Sequence, residues 1–411
     1  RYNFLVRLFL CAIVVFIIFQ VYIIFHVHRV GITVHELRYL SSNLKHGFFH
    51  HGHGASSISD KIPLDIKMVE NLIDEQLQRE LGFGEQVQRE PATDKRIQRD
   101  SSASTLKDDG SIDMLSLITY AMGTDQATDE ILSTLPEASD VASMYGEEPK
   151  IIGLETCATF QNTVPAPDRY MGPAGLFNTG TNLMAMLLMN NCHSPYGRRN
   201  LAQVPWGKHP PHTWRYRNFA KMKYTVTNHT QVLPVVIIKD PIFWMASLCN
   251  HSYAARWRHT PQHCPNLIPN KFDPGRYPDG VIHASIKYSS YNATHYESML
   301  HMWLDYYSGY VYNASFPRLI VRYEDVLYRP ASIVKRICEC GGQAVKGELK
   351  LIAQNAKGEG GPHKGGSGLV QAIKKYGDVS RWRSLLDVKD LDYYKKHVRR
   401  DLLDMFNYKI P

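Results

Sequence analysis

The sequence predicts an α/β fold: a central parallel sheet flanked by helices, preceded by a single N-terminal transmembrane helix. Three stretches carry that expectation. Leu8 to Phe25 is apolar apart from Gln20 and is bounded by Arg7 and by His26, His28 and Arg29, long enough to span a bilayer. Val235-Val236-Ile237-Ile238 is a short continuous apolar run, which reads as a buried strand. Gly175-Leu176-Phe177-Asn178-Thr179-Gly180-Thr181-Asn182 leads into the helix-like run Leu183 to Met189, which reads as a Gly-containing loop opening a helix.

With 411 residues, 44% of them apolar and 11% aromatic, the chain can bury one large core and still carry an extension. The formal charge of +8 suits anionic ligands. Nucleic acid is not expected as a partner, because no Lys/Arg run or aromatic-interleaved basic motif is present. No internal repeat is evident.

In chain order, residues 1–29 read as a signal anchor, since no small-residue cleavage site follows the apolar run. The first residue is Arg, so the native start is expected upstream. Sequons at Asn228, Asn250, Asn292 and Asn313 favour a lumenal C-terminal part, hence a single-pass type II membrane protein. Residues 30–149 are polar and charge-rich and read as a stem. Within it, His50-His51-Gly52-His53 reads as a solvated tract and not a metal site, having no cysteine or carboxylate pattern beside it. Ile66 to Leu81 has helical apolar spacing and is read either as a stem helix that forms a homodimer or as a lone amphipathic helix.

Residues 150–411 read as a catalytic domain beginning at the strand Ile151-Ile152. The two glycines of the Gly175–Gly180 loop suit backbone N–H groups aimed at an anion from a helix N-terminus. Their spacing matches the G-x-x-x-x-G frame of nucleotide-binding loops, but Thr181 and Asn182 stand where Lys and a Mg²⁺-binding hydroxyl belong. A nucleotide used without Mg²⁺ fits better than ATP. The strand at Val235 ends in Lys239-Asp240-Pro241, with Ser247 eight residues after the lysine; a cation and a hydroxyl so placed can grip one phosphate from two sides.

On these residues the chain resembles the sulfotransferase family, whose donor is 3′-phosphoadenosine 5′-phosphosulfate (PAPS). The resemblance covers about residues 150 to 411 and includes the strand and helix at Arg318 to Leu327 and the helix opened by Pro330 and closed by Gly341-Gly342. It implies a P-loop-containing nucleotide-binding fold. It also implies that Asn178, Thr179, Gly180, Thr181 and Asn182 hold the 5′-phosphosulfate and that Lys239 and Ser247 hold the 3′-phosphate. The Gly-rich basic segment with Lys364 would face the same phosphate, and a plain flexible loop is the other reading there. Two departures stand out: Asn178 replaces the usual loop Lys, and Lys239 replaces the usual Arg. Lys208-His209 before Pro210 is similar to the family's acceptor-site pair, which implies His209 as base and Lys208 as a charge on the transferring group. A Pro-rich turn with an incidental His is the alternative, and His212 is a second candidate base. The implied function is sulfuryl transfer from PAPS, a co-substrate used without metal, to a hydroxyl acceptor on a glycan in the Golgi lumen, which places the expected anchor in the Golgi membrane. The competing readings are a P-loop kinase or NTPase and a non-catalytic membrane-anchored glycan-binding protein.

Of the seven cysteines, Cys11 lies in the apolar anchor. Cys249 and Cys264 flank a polar, aromatic segment and are the preferred pair, a closure of about 3 kcal/mol in the chain-entropy model. The pairing of Cys157, Cys192, Cys338 and Cys340 stays open. His295 to Tyr310 places Met299, Trp303, Tyr306, Tyr307 and Tyr310 on one helical face, read as core packing. One last helix is expected over Asp390 to Phe406.

Overall fold

The computed structural model describes residues 106, 108–196, 200–217, 228–288, 292–354 and 368–411. Three helices come first: α1 (Met114–Met122), α2 (Asp129–Leu132) and α3 (Ala138–Tyr145). Side-chain oxygens of Asp113 and Thr128 cap the first two by accepting N–H groups of the opening turn. These helices fall within the stretch read as stem, yet Leu117, Ile118, Val141, Met144 and Tyr145 are buried in the hydrophobic core.

The chain continues through β1 (Ile151–Ile152), α4 (Cys157–Thr163), β2 (Tyr170–Ala174), α5 (Thr181–Asn191), β3 (Cys192–His193), β4 (Val232–Ile238) and α6 (Pro241–Asn250). Then follow β5 (Ala255–Trp257), β6 (Ala284–Ile286), β7 (Thr294–Tyr296), α7 (Met299–Ser308), β8 (Leu319–Arg322), α8 (Tyr323–Tyr328) and α9 (Pro330–Cys340). The described chain ends with β9 (Ala344–Val345), α10 (Leu369–Gly377), α11 (Val379–Ser384), α12 (Val388–His397) and α13 (Arg400–Met405).

The main sheet has the order β1-β8-β4-β2. Strand β4 is central and every residue of it is buried, as expected for a parallel strand covered on both faces. It pairs in parallel with β2, from Tyr170 opposite Val232 to Ala174 opposite Val236, and with β8, from Val235 opposite Leu319 to Ile238 opposite Arg322. Both β2 and β4 therefore deliver their C-terminal ends to one edge, and a helix starts soon after each.

The fold departs from the expected architecture. Only β2, β4 and β8 run parallel; β1 joins the edge antiparallel, with Ile151 opposite Val321 and Ile152 opposite Ile320. Directly after β1 the backbone of Gly153, at φ 96°, lies so close to Arg318 that an added Cβ would sit 2.0 Å from the Arg318 carbonyl oxygen. The end of β1 thus meets the start of β8, which forces opposite directions. Two further antiparallel sheets, β3-β9 and β5-β6-β7, make this a mixed α/β fold with small sheets in place of one parallel sheet. An apolar run signals burial but carries no information on strand direction, hence the misreading.

The membrane placement is corrected as well. Among the described residues no helix is long and apolar enough to cross a membrane. The longest, α5 and α9, have 11 residues, about half the roughly 20 that a bilayer needs. The expected single-pass type II Golgi anchor therefore has no counterpart among the described residues. Leu8 to Phe25 lies outside the described residues, as do the histidine tract, the Ile66 to Leu81 helix and Lys364.

Disulfides join Cys249 to Cys264, Cys157 to Cys340 and Cys192 to Cys338. The last two tie neighbouring positions of α9 to α4 and to the α5–β3 junction. The core face read over His295 to Tyr310 is as expected, with Met299, Trp303, Tyr306 and Tyr307 of α7 and Tyr310 in the turn after it all buried. The last helix is broken in two, because Val398 and Arg399 are extended between α12 and α13.

Candidate functional site

The loop after β2 turns into α5 through two left-handed residues, Asn178 at φ 63° and Gly180 at φ 89°. Glycine is required at the second: a Cβ there would lie 2.5 Å from the Tyr323 ring. Gly180 is the N-cap of α5 and brings no side chain to it, and no acidic residue occupies the first turn. The positive end of this helix is thus left to backbone N–H groups and is compatible with an anion.

Lys208 and His209 come to the same loop. The Gly175 N–H donates to the Lys208 carbonyl at 2.7 Å, and the Lys208 ammonium donates to Asn182 Oδ1 at 2.7 Å, which sets a positive charge beside the first turn of α5. His209 Nδ1 lies 2.8 Å from the Gly175 carbonyl. A carbonyl only accepts, so in the neutral ring Nδ1 carries the proton and Nε2 the lone pair. The imidazole packs on Phe177 with ring centroids 4.1 Å apart, and Tyr253 stacks on Phe177 at 5.2 Å and 11°. Tyr253 reaches this position from the segment closed by the Cys249–Cys264 bond.

His212 is elsewhere: its ring lies against Tyr310, its Nδ1 has no hydrogen-bond partner among the described residues, and burial lowers its pKa.

The second junction reaches the first from behind. Lys239, at the end of β4 and 2% exposed, donates to the Asn178 carbonyl at 2.5 Å and to the Tyr376 hydroxyl at 3.0 Å. Its ammonium also sits 4.0 Å over the Tyr323 ring and 4.5 Å over that of Tyr376. Ser247 lies one side of the same hydroxyl, its Oγ 3.4 Å from Tyr376 Oη and donating to the Phe243 carbonyl at 2.7 Å. The two side chains read as one phosphate grip thus converge on one oxygen, and that oxygen belongs to Tyr376 on α10. Although burial works to raise it, the Lys239 and Lys375 charges and the hydrogen bonds with Ser247 and Lys239 draw the Tyr376 phenol down to about 8.

Three residues of the expected donor loop do something other than face an anion. Asn178 turns its amide to α6, donating to the carbonyls of Ser247 at 3.3 Å and His251 at 2.8 Å. Thr179 is fully buried and donates to the Leu176 carbonyl at 2.7 Å. Asn182 accepts from Lys208.

Beneath the site lies a layer that sequence reading did not find. Asp240 caps α6, accepting from the N–H groups of Ile242 and Phe243 at 2.9 and 3.0 Å. Burial, with the Glu324 charge beside it, pushes the Asp240 carboxyl up to about 7. Glu324 accepts from the Asp240 N–H at 3.0 Å and the Tyr408 hydroxyl at 2.9 Å. Trp303 and Tyr307 of α7 brace the end of β4 by donating to the carbonyls of Lys239 and Ile237. For Tyr376 one local signal existed, since it directly follows the basic pair Lys374-Lys375.

Compared with known proteins, the chain matches no protein-family model, no curated sequence and no solved structure at a significant level.

Proposed function

We propose that this chain transfers a sulfuryl group from PAPS to a hydroxyl on a glycan acceptor. The observation that carries the proposal is the meeting of two strand-to-helix junctions: Lys239 of the second is hydrogen-bonded to Asn178 of the first, while Lys208 and His209 are hydrogen-bonded to Asn182 and Gly175 at that same first junction. One nucleotide with phosphates at both ends matches such an arrangement of charge.

In the proposed reaction the acceptor oxygen forms a bond to sulfur as the bond from sulfur to the 5′-phosphate oxygen breaks. The acceptor proton passes to His209 Nε2, and adenosine 3′,5′-bisphosphate leaves. Lys208 and the first-turn N–H groups of α5 stabilise charge on the transferring and leaving oxygens. Asn178 contributes no cation where the family it resembles has one, so Lys208 supplies that charge. Lys239 and Ser247 fix the 3′-phosphate, which requires the Tyr376 hydroxyl to yield its place. The stacked rings of Phe177 and Tyr253 beside His209 suit the face of a sugar.

One observation favours a second reading, a glycan-binding protein without transfer chemistry. The Tyr376 hydroxyl already occupies the point between Lys239 and Ser247. Incubating the chain with sulfur-labelled PAPS and a glycan panel separates the two. Transfer of label supports the enzyme, whereas glycan retention with neither transfer nor binding of adenosine 3′,5′-bisphosphate by calorimetry refutes it. Binding of ATP with Mg²⁺ in preference to the bisphosphate would point instead to a kinase or NTPase.

A further inference from the structure

We propose that Glu297, His301 and His397 form a site for a divalent transition-metal cation, with Zn²⁺ as the natural occupant, that clips α7 to α12. One ligating atom from each of the three lies within 4.8 Å of the other two. Glu297 precedes α7 and His301 is on its first turn, an i, i+4 pair with His301 Nε2 3.6 Å from Glu297 Oε2. His397 is the last residue of α12. Ligands of a tetrahedral Zn²⁺ at about 2.0–2.1 Å from the metal lie roughly 3.3 Å apart, so small side-chain rotations assemble the set. Two imidazoles and a carboxylate are a donor set that suits Zn²⁺ over Ca²⁺ or Mg²⁺, which take oxygen.

The neighbours of these residues act as outer partners that orient ligands. Ser298 Oγ lies 3.0 Å from His301 Nδ1; accepting that ring proton leaves the lone pair on Nε2, the nitrogen that faces Glu297. The Tyr393 hydroxyl donates to Glu297 Oε1 at 2.7 Å and leaves Oε2 toward His301. The His397 ring stacks on Tyr393 at 4.0 Å and 15°, which limits its rotation, and lies 5.7 Å from the His301 ring. An ordinary surface ion pair accounts for Glu297 and His301, but not for a second histidine brought from another helix or for the partners that hold all three. The Glu297 side chain is 46% exposed, which leaves a further coordination position to solvent. A metal here would steady α7, the helix whose Trp303 and Tyr307 brace the end of β4.

The test uses the full chain with His50, His51 and His53 replaced by Ala, so that this tract contributes no metal binding. After chelator treatment it is titrated with Co²⁺, followed by visible d–d absorption, and Zn²⁺ is then added. The expected result is one Co²⁺ per chain, displaced by Zn²⁺, with a higher thermal midpoint in Zn²⁺. His301→Ala and His397→Ala should each abolish the absorption while far-UV circular dichroism stays unchanged, and Glu297→Gln should weaken binding about tenfold or more. If either histidine variant fails to fold, the exposed Glu297→Gln carries the test. Failure of the parent chain to bind, or binding that none of the three substitutions alters, overturns the proposal.

Discussion

Tyr376 is the residue on which the candidate site turns. Its hydroxyl accepts from Lys239 and contacts Ser247, so a phosphate entering there must displace it. Tyr376→Phe should therefore tighten binding of adenosine 3′,5′-bisphosphate by about tenfold, the worth of one charge-assisted hydrogen bond no longer competed for; calorimetry at pH 7 checks this. Because the phenol sits at about 8, raising the pH from 7 to 9 converts it to a phenolate that pairs with Lys239 and repels phosphate. Affinity should fall over that window in the parent chain and stay flat in Tyr376→Phe. His209→Ala should lower turnover by roughly 10²- to 10⁴-fold, the usual worth of a general base, while leaving bisphosphate affinity unchanged; a turnover mostly retained removes His209 from the mechanism.

At the scale of elements, the segment between α6 and β6 is held to the C-terminal helices by one buried histidine. His263 Nδ1 meets Asp273 at 2.5 Å, and its Nε2 meets Asp390 at 2.7 Å and Asp387 at 3.2 Å. Asp390 also accepts from the N–H groups of Leu267 and Ile268. Burial works to lower the His263 pKa, but the hydrogen bonds and charges of Asp273 and Asp390 outweigh it and raise the pKa above the ordinary 6.5. The folded state then binds this proton more tightly than the unfolded one. The stability it contributes is complete below pH 6.5 and is lost as pH rises through the higher folded value. Asp240, pushed up to about 7, acts in the same sense between its ordinary 3.8 and 7, so the useful quantity is a difference between chains. His263→Gln should lower the thermal midpoint most at acid pH, and the gap from the parent should shrink as pH rises above 6.5.

For the whole molecule, a buried ion cluster at Asp325 joins the beginning of the described chain to its end. Arg322 and Arg329 both pair with Asp325, at 2.6 and 2.8 Å, with no side-chain exposure. Arg322 also donates to the carbonyls of Tyr145 and Phe406, and Arg329 donates to those of Gly110, Gly146 and Glu147. Replacing Asp325 with Ala strands two buried guanidinium groups and should cost about 3–5 kcal/mol, read as a lower urea midpoint. This cluster explains how α1–α3, written in a polar stretch, become part of the core: their anchor is supplied from positions 177 and 219 residues away in the chain.

What depends on local pattern was legible in the sequence. The apolar run of β4, the glycine spacing before α5, Pro330 opening α9, the apolar face of α7 and the Cys249–Cys264 pair all follow from spacing and residue type, which act over one or two turns of chain. What depends on partners distant in sequence was not. The antiparallel entry of β1, the pairing of Cys157 with Cys340 and Cys192 with Cys338, and the turn of the Asn178 amide toward α6 came from packing alone. So did the arrival of Tyr376 between Lys239 and Ser247, two side chains whose spacing announces a phosphate grip. Burying a lysine requires some oxygen to receive its protons, and only the folded chain decides whose oxygen that is.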